Sequence, residues 1–537
     1  MNNILVWRWI RMRNKINMDA SKMSDNDKSV SDPDVEKNSE KLIHGHTFEE
    51  AFELTGHGKF NHVILFTSGL IMLNVSMESL GMSYAITAAA CELQLNNVHK
   101  GLVNAAAFIG IISTSFLWGY LGDRLGRRAV MLPAILLSAL FSVLSSFSIN
   151  VWMLLVLRFL TGCLVSASSA TVYAYLGEMH SSSKRASAIA WGSAFISFSF
   201  IILPGLAWVI IPGKWSFNIT WMKVVPWRAF ICLWCAPGVV AAIILLFLPE
   251  SPRFLLAAKG PERALPVLAR MYASNNGRSA EEFPVKKLRT SSEAAKVGGF
   301  AGAVKNIVVM FRPPLLRCVF ISHTSMFIVF MLSSGLYMWV PDILNNILRS
   351  TSGSSITICR IIHDNFVNAS LSITSVCEAE ISVTVFPISM CMGAAFALTY
   401  LAIGFLINKI GRKTLYCGIM FVCGLATIGA AFVPEGITAT VLLILSLSSG
   451  CAASILAAIA VDVFPTSLRA MAMCVMYMTG RAGAAIGSYL LGATLDIHCR
   501  EAFTVIGILT AGSTILMVFW PKPEKVREEM EEKGFTY

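Results

Sequence analysis

The chain has 537 residues, 55% of them hydrophobic and only 14% charged, with a mean hydropathy of +0.65 and a net charge of +11. Soluble globular chains carry about 25% charged residues, so a soluble enzyme or binding domain is excluded. The charge sits in short islands between long apolar runs, which argues against a nucleic-acid surface and for positive loops facing the cytoplasm.

Residues 1–60 read as a cytoplasmic, mostly disordered segment. Ile4–Ile10 is apolar but short, is interrupted by Arg8 and has no cleavage site after it, so it is not a signal peptide. Residues 18–45 are polar and poor in large apolar side chains.

Six apolar runs follow, at about 63–90, 101–121, 130–149, 151–176, 186–212 and 227–248. Each is long enough to cross a bilayer, and backbone groups in hydrocarbon must be satisfied within the segment, so each is expected to be a helix. A polar connector with short helices spans about 250–315. Six further runs lie at about 316–340, 381–407, 414–433, 437–463, 470–493 and 501–520, before a tail at 522–537. The expected fold is an all-α membrane protein of twelve transmembrane helices, in a bundle over 61–249 and another over 316–521.

The basic residues orient it. Loops after helices 2, 4, 8 and 10 hold Arg124, Arg127, Arg128, Lys184, Arg185, Lys409, Arg412, Lys413 and Arg469; the short loops on the other side hold Lys100, Lys214, Lys223 and Arg500. Nine against four places both termini and the connector in the cytoplasm. The sequons at Asn218 and Asn368 then face outward and can be glycosylated, whereas Asn74 lies inside helix 1. Most of the thirteen cysteines read as buried apolar residues, but Cys359 and Cys377 share a polar outward loop where a disulfide between them can form.

A motif occurs twice. Gly119-Tyr-Leu-Gly-Asp123-Arg124-Leu-Gly126-Arg127-Arg128 follows helix 2, and Gly404-Phe-Leu-Ile-Asn408-Lys-Ile-Gly411-Arg412-Lys413 follows helix 8, offset by 285. Glu178 and Arg185 after helix 4 recur as Asp462 and Arg469 after helix 10, offset by 284. One interval for both pairs means two homologous six-helix halves. The glycines permit tight turns, and the charges can form ion pairs at the helix ends. These pairs either latch one conformation or only set topology.

This double pattern resembles the major facilitator superfamily. Pro249-Glu250-Ser251-Pro252-Arg253 looks like its sugar-porter branch, and Arg158 with Gly162 matches its arginine–glycine motif. Thr47–Phe60 before helix 1 and Gly335–Asp342 at the end of helix 7 look like the synaptic-vesicle glycoprotein 2 family and its organic-ion transporter relatives. The resemblance implies alternating access of a small organic solute, an organic ion or a sugar-like molecule. Three features depart from it: Val75-Ser76-Met77-Glu78 has one acid where the family shows two, Asn408 replaces the motif's Asp, and the 341–380 loop is short where the vesicle glycoproteins carry a large lumenal domain.

Three charges interrupt the apolar runs: Glu78, Arg158 and Arg481. Each costs about 2.5–3.5 kcal/mol at a helix centre, so they should face a cavity or one another. At 1.5 Å per residue, Glu78 and Arg158 reach similar depths, about 8 and 10 Å from the outer boundary. They form either a proton-coupling pair or a permanent structural one. Arg481 falls near the midplane, where a cation suits an anionic or carboxylate-bearing substrate; pairing with backbone carbonyls or snorkelling is the other reading. His323 and Tyr337 of helix 7, Trp191, Ser193 and Ser197 of helix 5, and Asn104 and Phe108 of helix 2 suit a mixed pocket. Trp339 reads as an interfacial belt residue.

No nucleophile constellation, metal motif or phosphate loop is present in the sequence. The expected partners are a small solute, the bilayer and, as a coupling ion, protons, with no nucleic acid and no cofactor, for a monomer in the plasma or a vesicle membrane. A non-transporting vesicle-membrane or trafficking protein and a substrate-sensing receptor on the same fold are the rival readings.

Overall fold

The computed structural model describes residues 46–219, 222–289, 308–349, 356–371 and 381–533. Eleven helices within them are long and apolar enough to cross a membrane. The Thr466–Thr494 helix has the length as well, but Arg481 and its glycines dilute its hydropathy. With it the protein has the expected twelve.

In the first half, helix 1 runs Lys59–Leu80 and continues as Met82–Ala89; helices 2 to 5 are Asn97–Leu125, Arg127–Ser146, Val151–Glu178 and Ser182–Ile210. Helix 6 is Pro226–Trp234 followed by Ala236–Phe247. In the second half, helix 7 is Leu315–Phe330 with a wide π turn at Met331–Gly335, helix 8 is Val385–Ile410 and helix 9 is Arg412–Phe432. Helix 10 comprises Gly436–Leu447 and Ala452–Val461, helix 11 is Thr466–Thr494 and helix 12 is Cys499–Val518. Across the halves, helix 2 packs on helix 11 and helix 5 on helix 8.

The two motif copies share a backbone. Gly126 ends helix 2 at φ +112° and Gly411 ends helix 8 at φ +88°, each immediately before the next helix. A side chain is strained at such φ values. Small residues also permit close packing inside the halves: a Cβ on Gly162 would lie 2.1 Å from the Ala107 carbonyl oxygen of helix 2.

Several expectations change. Residues 1–45 lie outside the described residues, and the last part of the expected N-terminal segment, 46–58, is folded. Phe48–Leu54 is a helix with a Thr47 capping box. Phe52 packs with Leu268, Met271 and Phe283 of the connector, and Arg253 pairs with Glu49 at 2.6 Å. Burial of these apolar side chains supplies what a polar-composition reading overlooks. The connector forms helices Pro252–Lys259 and Pro261–Asn276. The 341–380 segment between helices 7 and 8, expected as a polar loop, is helical at Val340–Arg349 and Ile358–Leu371.

Cys359 is bonded to Cys499 at the start of helix 12, not to Cys377, which lies outside the described residues. The fold brings Ile358–Leu371 beside the start of helix 12, so a partner 140 residues away is nearer than sequence suggests. Asn218 is exposed on a hairpin formed by Phe217–Ile219 and Met222–Val224, and Asn368 belongs to the Ile358–Leu371 helix, its side chain outside the described residues. Asn74 is buried in helix 1 beside Gly238.

Candidate functional site

Glu78 and Arg158 meet inside the first half. Arg158 Nη1 lies 3.1 Å from Glu78 Oε2, and both side chains are 1% exposed. Arg158 Nη2 donates to the Glu78 carbonyl oxygen. Ser142 of helix 3 and Trp234 of helix 6 donate to the same Oε2, at 3.0 and 3.1 Å. The guanidinium also stands 5.2 Å from the centre of the Trp234 ring. Helix 1 breaks at Gly81 to admit this indole: a Cβ there would lie 2.5 Å from it. The charges therefore face one another and not an open cavity. Glu78 Oε1 and Arg158 Nε have no hydrogen-bond partner among the described residues.

Arg481 lies on the seam between halves. Its Nη1 donates to Ser169 Oγ of helix 4 at 3.2 Å, and Tyr173, Tyr477 and Cys474 are its titratable neighbours. No carboxylate pairs with it among the described residues. Aromatic rings line the seam beyond it: Phe330 against Tyr477, Phe396 against Tyr400, and Phe200 against both Phe396 and Tyr337. A cation amid rings and hydroxyls can receive an anionic group while the rings hold an apolar body.

At the end away from the motif loops the halves are clamped. Lys100 of helix 2 pairs with Asp342 at 2.8 Å, Asn97 donates to Asp496, and the Tyr84 and Tyr337 hydroxyls lie 3.4 Å apart. Asn104 donates to the Met338 carbonyl oxygen at 3.5 Å, and Gly101 abuts Gly492. Asp496 lies outside the spans, and burial raises its carboxyl above the ordinary value, with the Asn97 bond opposing.

At the motif end the ion pairs among the described residues stay within each half. Arg127 bridges Asp123 at 2.9 Å and Glu178 at 3.0 Å. Arg412 pairs with Asp462. Arg185 Nε donates to the Gly177 carbonyl oxygen and Arg469 Nη2 to that of Phe464, while the side chain of Asn408 lies outside the described residues. Arg124 lies over the Tyr120 ring, and Arg128 donates to the Leu245 and Leu246 carbonyl oxygens. Among the described residues nothing lies within 4 Å of where a Cβ on Gly119 or Gly404 would stand. Glu250 caps helix 3, accepting from the Arg128 and Ala129 amides at 3.0 and 3.1 Å.

The other pocket candidates disperse. Tyr337 and Asn104 belong to the clamp, and Phe108 is buried. Ser193 Oγ donates to the Ile189 carbonyl oxygen. Trp191 is 66% exposed and shares a groove with His57, His62 and Lys184, away from the Phe200 face that meets helix 8. His323 lines a groove between helices 7 and 11. Trp339 is not a belt residue: it is 1% exposed and donates to the Ser488 carbonyl oxygen at 2.9 Å, because the bend after the π turn swings it against helix 11. Sequence reasoning overlooked Ser142, Trp234, Ser169, Tyr84, Asn97 and Asp496; only Lys100 and Asp342 had drawn notice, as a loop charge and a motif end.

The family model of the Major Facilitator Superfamily matches residues 64–376 and 356–535. Among curated relatives, synaptic vesicle glycoprotein 2B of Mus musculus is 30% identical over 253 residues, 46% of this chain and 37% of that protein. Synaptic vesicle glycoprotein 2C of Mus musculus is 27% identical over 351 residues, 61% of this chain and 48% of that protein. The chain thus spans less than half the length of these relatives. The inward-open xylose transporter XylE from E. coli superposes with TM-score 0.63 at 16% identity, over 87% of this chain and 99% of that one. A bacterial homolog of the human lysosomal transporter Spinster gives TM-score 0.58 at 12% identity, over 86% and 96%. With two homologous six-helix halves and a family match across both, the chain belongs to the Major Facilitator Superfamily.

Proposed function

We propose that the protein moves a small organic solute bearing an anionic group across a membrane by alternating access. The observation that carries this reading is one-sided closure. The halves are clamped through Lys100–Asp342 and Tyr84–Tyr337 at one end, while among the described residues the ion pairs of the motif end stay within each half. Two bundles that rock about a central site pass through such a state.

Arg481 supports the solute class. A charge near the midplane is costly, and a single hydroxyl contact from Ser169 offsets little of that. A carboxylate or similar anion would supply the missing counter-charge. Sugars and organic cations would not.

The motif face is assigned to the cytoplasm, by nine basic loop residues against four. The clamped state is then inward-facing, and exposed Asn218 faces outward. Glu78 serves as the protonation site: its Oε1 has no hydrogen-bond partner among the described residues, and adding a proton there would loosen Arg158 and couple a pH gradient to rocking.

The test is uptake by the purified chain in proteoliposomes, with labelled organic anions, cations and sugars, with and without a pH gradient. Gradient-driven accumulation of an anion, lost in Arg481→Ala, is expected. Binding with no flux for any compound would instead favour a vesicle-membrane or receptor role. Uptake indifferent to the pH gradient in both wild type and Glu78→Gln would remove the coupling step.

A further inference from the structure

The start of helix 5 faces the start of helix 1 across a groove of about 320 Å³. Lys184, Ser187, Ala188 and Trp191 stand at i, i+3, i+4 and i+7, so they form one stripe along helix 5. His57 just before helix 1, His62 and Leu65 on it, and His180 from the turn between helices 4 and 5 complete the walls with Asn61. The His57 ring centre lies 5.3 Å from that of His62 and 5.7 Å from that of His180. From Ser182 at the motif end the groove climbs about 13 Å along helix 5 to Trp191. Trp191 and Phe200 are nine residues apart, about 180° around that helix, and Phe200 meets helix 8. Trp191, 66% exposed, therefore looks away from the seam toward lipid, as does Phe66 beside Leu65, 50% exposed.

The backbone sets the chemistry of the imidazoles. His62 Nδ1 meets the Gly58 carbonyl oxygen at 2.7 Å, and His180 Nδ1 meets that of Leu176 at 2.8 Å. A carbonyl only accepts, so each ring carries a proton on Nδ1, and in the neutral form Nε2 is a bare acceptor. Burial, then His62 and Lys184, hold the His57 imidazole below 6.5; burial, then His57 and His62, hold that of His180 there against its Leu176 bond. No carboxylate acts on either ring among the described residues. Lys184 and His62 are both exposed, so both are open to a ligand. Asn61 is already occupied: it donates to the Met179 carbonyl oxygen and accepts from Asn275. No three His, Cys, Asp or Glu side chains among the described residues are placed to hold a metal ion. What fits is a group with negative charge for Lys184 and an acidic proton for Nε2. A phosphomonoester has both near neutral pH, because its second pKa is about 6. A phosphodiester or a carboxylate brings the charge without the proton.

We propose that this groove binds the headgroup of a phosphomonoester lipid, phosphatidic acid being the simplest. Its oxygens meet Lys184 and the exposed Ser187, its hydroxyl donates to His62 Nε2, and its acyl chains run along Trp191 and Phe66. These contacts all belong to the first half, so the lipid rides with that half and leaves the seam free.

The test uses the full chain in detergent near neutral pH, with lipid binding read by native mass spectrometry. Dioleoyl phosphatidic acid is expected to bind about tenfold more tightly than dioleoyl phosphatidylglycerol, a diester with the same tails, as one charge-assisted hydrogen bond implies. His62→Leu, at an exposed position, should abolish that preference, whereas Lys184→Gln should weaken both lipids. In phosphatidylcholine nanodiscs, phosphatidic acid with a photoactivatable tail should attach to the 57–66 and 184–191 segments. Equal affinity for the two lipids would overturn the monoester assignment, and that arm needs no mutation. Competition by glycerol 3-phosphate as strong as that by phosphatidic acid would overturn the lipid source. Attachment elsewhere, or an undiminished preference in His62→Leu, would overturn the site.

Discussion

Glu78 and Arg158 stand 3.1 Å apart with both side chains 1% exposed, sealed by the indole of Trp234. Removing one partner of such a pair strands a charge in a dry interior, which costs about 3–5 kcal/mol, whereas replacing both with apolar groups is often nearly neutral. Arg158→Leu is therefore expected to unfold in detergent far below wild type, and the Glu78→Leu/Arg158→Leu double variant to recover most of the loss. A double variant no more stable than the single would show that the pair is not what holds helices 1 and 4 together.

The clamp predicts a conformational shift. Lys100 and Asp342 are 12% and 15% exposed, so their pairing is only lightly screened. Its loss in Lys100→Ala should cost the closed end about 1–2 kcal/mol, a factor of roughly 5–30 in population. Hydrogen exchange of the backbone at 97–104 and 337–342 should accelerate by a comparable factor. Unchanged exchange would mean that helix packing at Gly101 and Gly492 holds this end without the ion pair.

Glu250 links the connector to helix 3. Its two oxygens accept the Arg128 and Ala129 amides, the orphan donors of a helix start. Glu250→Ala should lower stability by about 1–2 kcal/mol, as for other N-caps. Glu250→Gln should retain part of this, since one amide oxygen still accepts. A thermal unfolding comparison of the three proteins decides it.

His180, in the turn between helices 4 and 5, predicts a pH effect. Burial holds its imidazole below the ordinary 6.5, reinforced by His57 and His62 and opposed by its bond to the Leu176 carbonyl. The unfolded chain then takes up the proton first as pH falls. The stabilisation is complete above about 6.5 and is lost as pH drops from there toward the folded-state value. Thermal stability should fall between pH 7.5 and pH 5.5, roughly, and fall less steeply in His180→Gln. Identical slopes in the two proteins would assign the effect elsewhere.

The sequence by itself determined the twelve helices, the duplication and the rule that buried charges must meet. Apolar runs of membrane length leave the backbone one way to satisfy its hydrogen bonds, and the offsets of 285 and 284 between motif copies expose the symmetry directly. Depth counting likewise brought Glu78 and Arg158 to one level. Tertiary structure alone decided which face of each helix meets protein and which meets lipid. In a helix that is apolar all round, composition does not distinguish those faces. Trp191 and Trp339 therefore exchange the expected roles: the first is exposed and the second buried. His323 leaves the central seam for a lateral groove, and Cys359 finds Cys499 across 140 residues. Each outcome depends on which helices become neighbours, and packing of side chains between helices, not the pattern along one helix, sets that.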